Sequence, residues 1–290
     1  MRSLANYSLP DTEIEDLTFS QPVQQGGDNY RLIELRGSGA FGQVWKAQNL
    51  GTGQIVALKI VNVNDPKIAE LIVEEVRILK QISQPRCHPF LSCFYDYVYD
   101  QRNRQIFIEM EYIDGQELQN WSQQFSFEDL YYKLLLVTAD ISRALQFIHS
   151  RNVVHRDIKP SNILITYENV PKLVDFGLGC NPQMCSTSYC CPGNPGTPHF
   201  MAPETLAFGE SYFASDVWSL GVTLFFIATG RYPFDFHSTS ILEIKETIIH
   251  TMPAKLNTSM PQLNQIVNGC LVKDPNYRIT LEQIMSILRA

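Results

Sequence analysis

Short runs of strand-like alternation come first along this chain, and longer apolar stripes of helical period follow. Tyr30 to Leu35, Gln43 to Gln48 and Ile55 to Val61 have strand length and are separated by glycine-rich breaks, including Gly51-Thr52-Gly53, a pattern that suits an antiparallel sheet. From Ile68 to Gln81 the period changes. Leu71, Ile72, Glu75, Ile78 and Leu79 fall at helical spacing, continued by Ile82, which predicts a helix with Glu75 on its inward face and Glu74 beside it. Tyr95 to Tyr99 and Gln105 to Met110 read as two further strands around a turn at residues 100–104, where the sheet ends. The remainder is mainly helical. Glu128 to Ser150 carries Leu130, Leu134, Val137, Ile141, Leu145 and Ile148, a stripe that predicts a buried support helix, with His149 as its C-terminal cap rather than a ligand. Residues 1–29 mix Asp11, Glu13, Glu15 and Asp16 with Ser, Gln and Pro, and read as a flexible polar tail. The alternative is docking on the folded body through Ile14, Leu17 and Phe19.

Three stretches carry chemistry. In Val154-His155-Arg156-Asp157-Ile158-Lys159-Pro160-Ser161-Asn162, an Asp, a Lys two places on and an Asn five places on can converge from one turn on a proton, an anion and a metal ion. Ile163-Leu164-Ile165 and Leu173-Val174 look like paired strands that bring Asp175, in Asp175-Phe176-Gly177, back beside Asn162. Gly37-Ser38-Gly39-Ala40-Phe41-Gly42 lies between two predicted strands. A dinucleotide-binding reading would need a following helix, whereas glycines in a hairpin let backbone approach phosphates closely.

His-Arg-Asp with Asn five residues after the Asp, followed by Asp-Phe-Gly at this spacing, resembles the eukaryotic-type protein kinases of the serine/threonine kind. The resemblance runs from about Tyr30 to the C-terminus. It implies an α+β, bilobal protein-kinase fold after the tail: a small antiparallel-sheet lobe with one helix (about 30–110), a hinge (about 111–116) and a larger, mainly helical lobe (about 117–290). It implies ATP and Mg²⁺ as cofactors and a protein substrate with a Ser or Thr acceptor. Asp157 would orient the acceptor hydroxyl and Lys159 neutralise the moving phosphoryl group, with Asn162 and Asp175 as metal ligands. Gly37, Gly39, Gly42 and Lys59, oriented by Glu75, would hold phosphates, with Phe41 covering them. Val44, Ala57, Met110, Glu111, Ile113 and Leu164 would surround the adenine, and Glu117 would lie near the ribose. Leu79, Phe94, His155 and Phe176 match a hydrophobic column whose Phe sets the position of the metal-binding Asp. The stretch from Ser215 to Ala228 resembles the large lobe's central helix, with Asp216 anchoring the backbone of His155 and Arg156. Glu204 would pair with Arg278, and Thr197 would reach Asp157 and Lys159.

Lys159-Pro160-Ser161-Asn162 and Gly230-Arg231-Tyr232-Pro233 also resemble MAP-kinase kinases, which phosphorylate Thr and Tyr, so dual specificity stays open. An ATP-binding pseudokinase or scaffold is the rival class. Such proteins typically lose the counterpart of Lys59, Asp157 or Asp175, and all three are present.

Composition narrows the partners. Hydrophobic residues at 44%, charged residues at 18% and a net charge of −7 fit a globular protein and argue against nucleic-acid or anionic-membrane binding. The chain shows no secretory signal and no apolar run long enough to span a bilayer, so a cytoplasmic or nuclear location is expected. The seven cysteines are then expected to be reduced.

The segment between Asp175 and Glu204 departs from the family pattern. It carries Cys180, Cys185, Cys190 and Cys191 around Ser186-Thr187-Ser188-Tyr189. Free thiols are expected there, against a zinc site or a redox clip joining Cys180 or Cys185 to Cys190. Ser186, Thr187 and Ser188 are candidate sites for an upstream kinase or autophosphorylation. Yet no Lys or Arg occurs from Leu173 to Gly230, so Arg156 would receive a phosphate with little basic help, and constitutive activity competes.

Overall fold

The computed structural model describes residues 29–39, 42–182 and 196–289. These residues form two compact units. The first holds the described residues up to Lys80 together with Cys93–Tyr112, and the second holds Gln81–Ser92 and the chain from Ile113 onward.

In the first unit, β1 (Tyr30–Gly39), β2 (Gly42–Asn49), β3 (Ile55–Asn62), β4 (Phe94–Asp100) and β5 (Gln105–Glu111) form an antiparallel sheet in the order β1-β2-β3-β5-β4. Edge strand β1 runs beyond Leu35 because two register shifts, at Leu32/Glu34 and Leu35/Gly37, carry its pairing on to Gly39. The register pairs Val44 with Lys59 and Ala57 with Met110, so these four residues share one face of the sheet. Helix α1 (Pro66–Ser83) lies on that face, since its Glu75 reaches Lys59. Gly42 is demanded by its backbone: φ is +110°, and a Cβ there would stand 2.2 Å from the Ile60 carbonyl oxygen.

The second unit contains a small sheet, β6 (Gly115–Glu117), β7 (Ile163–Thr166) and β8 (Pro171–Leu173), in that order. Val174 lies one residue beyond β8, although its N–H continues the pairing by donating to the Asn162 carbonyl at 3.0 Å. Helices α2 (Leu118–Ser122), α3 (Phe127–His149), α4 (Pro203–Phe208), α5 (Phe213–Thr229), α6 (Ile241–His250), α7 (Pro261–Cys270) and α8 (Leu281–Ile287) make up most of the rest. Ser126 caps α3 by accepting the Asp129 N–H, and Glu128 and Asp129 favour the positive end of the helix dipole. The α3 stripe from Leu130 to Ile148 is buried, each fully enclosed Leu or Ile contributing about 1.5–3 kcal/mol. Ser150 occupies the C-cap, and His149 is instead a half-buried partner of Asp216, which corrects its reading as a cap.

Helix α5 is apolar nearly all round and buried accordingly. It packs closely on α7 at Gly221, where a Cβ would lie 2.4 Å from that of Cys270. No helix among the described residues is long and apolar enough to cross a membrane.

Candidate active site

In the first unit, Lys59 Nζ lies 2.6 and 2.7 Å from the two carboxylate oxygens of Glu75, and both residues are buried. Glu74 instead pairs with Arg77 at 2.5 Å on a more open side of α1. Burial makes the difference matter: an unpaired charge there would be strongly destabilising, so each partner holds the other in place. Nearby, added Cβ atoms at Gly37 and Gly39 would meet nothing within 4 Å. Packing therefore does not demand glycine at these two positions, and their backbone stays open to a ligand. Phe41 lies outside the described residues.

In the second unit, the β7–β8 hairpin pairs Ile163 with Leu173, and the Val174 N–H on the Asn162 carbonyl sets Asp175 beside the start of β7. Asn162 Nδ2 donates to the Asp157 carbonyl at 2.8 Å and to Asp157 Oδ2 at 2.9 Å. Lys159 Nζ sits 2.7 Å from Asp157 Oδ2 and donates to Thr197 Oγ1 at 3.0 Å. The Thr197 N–H and hydroxyl both donate to Asp157 Oδ1, at 3.1 and 3.3 Å. A buried carboxylate thus receives donors on both oxygens, and a partly exposed ammonium lies against it. Arg156 (φ +69°) and Asp175 (φ +63°) are left-handed, a conformation that surrounding contacts must hold.

Asp216 supplies much of that hold. Its Oδ2 accepts the His155 N–H at 2.9 Å and lies 2.8 Å from His149 Nε2, while Oδ1 accepts the Arg156 N–H at 2.9 Å. Burial pushes this carboxyl upward, but the hydrogen bond and charge of His149, with His155, outweigh burial and keep it below the ordinary Asp value. A depressed folded pKa gives stability that is present above the unfolded value and is lost as pH falls through the folded one. Asp216→Asn is therefore expected to cost about 1.5–3 kcal/mol at neutral pH. Its thermal midpoint should also fall less than the wild type's between pH 6 and about pH 3. Thermal unfolding followed by circular dichroism reads both, and parallel curves for the two proteins would refute the assignment.

The chain matches the protein kinase domain over residues 30–287. It belongs to the protein kinase family. It is 31% identical over 279 residues to mitogen-activated protein kinase kinase 2 of Arabidopsis thaliana, an alignment covering 91% of this chain and 74% of that protein. Mitogen-activated protein kinase kinase 3 of the same plant is 30% identical, over 99% of this chain and 54% of its own length. Serine/threonine-protein kinase KIC1 of Saccharomyces cerevisiae is 32% identical, over 88% of this chain and 23% of its own length. The family match and these relatives make the chain an ATP-dependent protein serine/threonine kinase.

The remaining sequence-derived positions of this kinase are placed as follows. Val44, Ala57 and Met110 share the sheet face of Lys59, and Leu164 pairs with Glu117 across β6 and β7. The Glu111 N–H donates to the Cys93 carbonyl at 2.7 Å. Ile113 is buried. His155 and Phe176 meet edge to face at 4.8 Å. Glu204 and Arg278 form a buried bidentate pair at 2.7 and 2.9 Å.

Sequence reasoning missed other contacts. His149 on Asp216 carries no local signal, because the two lie on different helices 67 residues apart. The expectation of reduced thiols is corrected: Cys87, Cys93 and Cys180 are disulfide-bonded, while Cys270 is a free, buried thiol. Burial pushes the Cys270 thiol up to about 12. Backbone pairing of Cys180 with Val154 fixes the position of that cysteine, which sequence spacing alone does not determine. A zinc site using the Cys180 thiolate is incompatible with its disulfide. Cys185, Cys190, Cys191, Ser186, Thr187, Ser188 and Tyr189 lie outside the described residues.

Proposed function

We propose that this kinase transfers the γ-phosphate of ATP to serine and threonine hydroxyls of protein substrates. The observation that carries the reading is the contact set in which Asp157, Lys159 and Thr197 bond one another, with Asn162 fixing Asp157 from the other side. Phosphoryl transfer asks for positioning and charge neutralisation more than for covalent chemistry by the protein. Asp157, held by neutral donors and one cation, would orient the acceptor hydroxyl and take its proton late. Lys159, partly exposed, would face the transferring phosphoryl group. In the first unit, Lys59 would hold the α- and β-phosphates while Glu75 keeps its ammonium in place, and the open backbone at Gly37 and Gly39 would approach phosphate oxygens.

Mg²⁺ fits the donors present. Asn162 uses its amide NH₂ on Asp157, so its carbonyl oxygen is the polar atom left for a cation, and Asp175 adds a carboxylate. When bound, Mg²⁺ would offset the phosphate charge.

The names of the two Arabidopsis relatives support a second reading, in which the acceptor is the Thr and Tyr of another kinase. Incubation with Mg-ATP and a Ser/Thr/Tyr peptide array, followed by phosphoamino-acid analysis, separates the readings. Phosphoserine and phosphothreonine alone are expected. Phosphotyrosine in addition would replace the proposal with dual specificity, and absence of transfer with ATP bound would replace it with a scaffold role.

A further inference from the structure

The Lys59 face of the first unit carries a second cation. The register sets Lys46 opposite Ala57 and Ala57 opposite Met110, one row along from Val44 and Lys59. Side chains alternate along a strand, so Val44 and Lys46 on β2, Ala57 and Lys59 on β3, and Met110 on β5 all project to this side. Tyr112, two residues past Met110, follows the same alternation just beyond the end of β5. The Lys46 ammonium meets it there: Nζ stands over the Tyr112 ring, 4.7 Å from the centroid. β2 and β5 flank β3 and do not pair with each other, so this contact bridges the sheet across β3.

The bridge borders a shallow recess. Ala57 is the smallest side chain of its row and sits on the middle strand of the sheet, yet it is only partly buried, as are Val44, Lys46, Met110 and Tyr112. Its neighbours on the other face of β3, Val56 and Leu58, are fully enclosed. A flat apolar floor therefore lies open among larger side chains, with the Lys59–Glu75 pair on one side of it and Lys46 with Tyr112 on the other. Two residues along a strand span ~7 Å. That separation of Ala57 from Lys59 suits a flat heterocycle over the alanine with its anionic group at the lysine.

We propose that Lys46 is a positioning residue for the nucleotide: its ammonium, set on the Tyr112 ring, ties the chain leaving β5 to β2 and so fixes the border of the recess that takes the adenine. The inference rests on the reading that this face binds ATP, and not on which acceptor the kinase uses. Glu111 is held from its two neighbouring strands. It pairs with Val56 on β3, its N–H donates to the Cys93 carbonyl, and its carboxylate accepts the Cys93 N–H at 3.2 Å. Those bonds fix Glu111, whereas the Lys46 contact fixes the residue after it. A cation over a ring at a half-exposed site changes an equilibrium constant by a few-fold, so Lys46 acts on affinity and leaves the chemical step alone.

Calorimetric titration of the full chain with ATP and with adenosine, beside steady-state kinetics, tests this. Lys46→Met keeps an unbranched stem and removes the charge. It should raise the Kd for ATP and for adenosine by the same ~3–5-fold, and the KM for ATP with them, while kcat changes by less than about twofold. Lys46→Arg should bind as the wild type does, because a guanidinium also stacks on an aromatic face. Tyr112→Leu should match Lys46→Met, and the double variant should bind no more weakly than either single one, since both remove one contact. Wild-type affinity in Lys46→Met would overturn the proposal. So would a loss seen with ATP but not with adenosine, because Lys46 would then act on phosphate directly. Lys59→Met separates the two levels of the argument: weakened ATP binding there beside a normal Lys46→Met refutes the role of Lys46 alone, whereas unchanged binding in both refutes the nucleotide reading of the face as well.

Discussion

Asp157→Asn is expected to lower the turnover number by about 10²–10⁴ while changing the affinity for ATP by no more than about threefold. The asymmetry follows from where Asp157 sits. Its carboxylate touches Asn162, Lys159 and Thr197, all in the second unit, and the Lys59–Glu75 pair proposed to hold the phosphates belongs to the first. Asn keeps the shape and one acceptor oxygen but cannot take a proton, and it places an NH₂ against a donor. Steady-state phosphorylation of the best array peptide, with nucleotide affinity measured separately, reads the split. A variant with undiminished turnover would remove Asp157 from the mechanism, and a large loss of ATP binding would mean that its role is structural.

Arg278→Ala should produce the largest loss of stability, about 3–5 kcal/mol. Arg278 Nη1 and Nη2 bond the two Glu204 oxygens and also donate to the Ala214 and Lys273 carbonyls, while Nε donates to Val272. Ser215 Oγ donates to Glu204 Oε1 at 2.9 Å, so the pair ties α4 and the start of α5 to the loop before α8. Deleting the guanidinium leaves a buried carboxylate with one hydroxyl for company. Arg278→Lys should recover only part of the loss, because an ammonium cannot make the bidentate contact. The double variant Glu204→Leu/Arg278→Met should be less damaged than Arg278→Ala, since no charge is stranded. Urea midpoints at unchanged m-value measure all three, and a double variant as unstable as Arg278→Ala would contradict the account.

Helical period together with the family spacing to Ile78-Leu79 picks Glu75 over Glu74, and the ion pair with Lys59 forms at Glu75 among buried Ile72, Ile78 and Leu79, whereas Leu71, expected on the same side, is 45% exposed. The same short-range physics separates the strand-rich first part from the helical remainder and gives α3 its buried stripe. Pairing of Glu204 with Arg278 and anchoring by Asp216 came to the sequence reading only through family resemblance, since no local period links positions more than 60 residues apart.

What the sequence by itself determined, then, is which segments become strands and helices and which side chains share a face, because those depend on repeats of two and 3.6 residues within a few turns of chain. Only the tertiary structure decided that His149 turns from the end of α3 to Asp216, that Tyr30 crosses the sheet to Glu109, and that Cys180 is oxidised. Each of these contacts depends on the path that brings distant segments together. No periodicity records that path, and burial then makes leaving such polar groups unpaired costly.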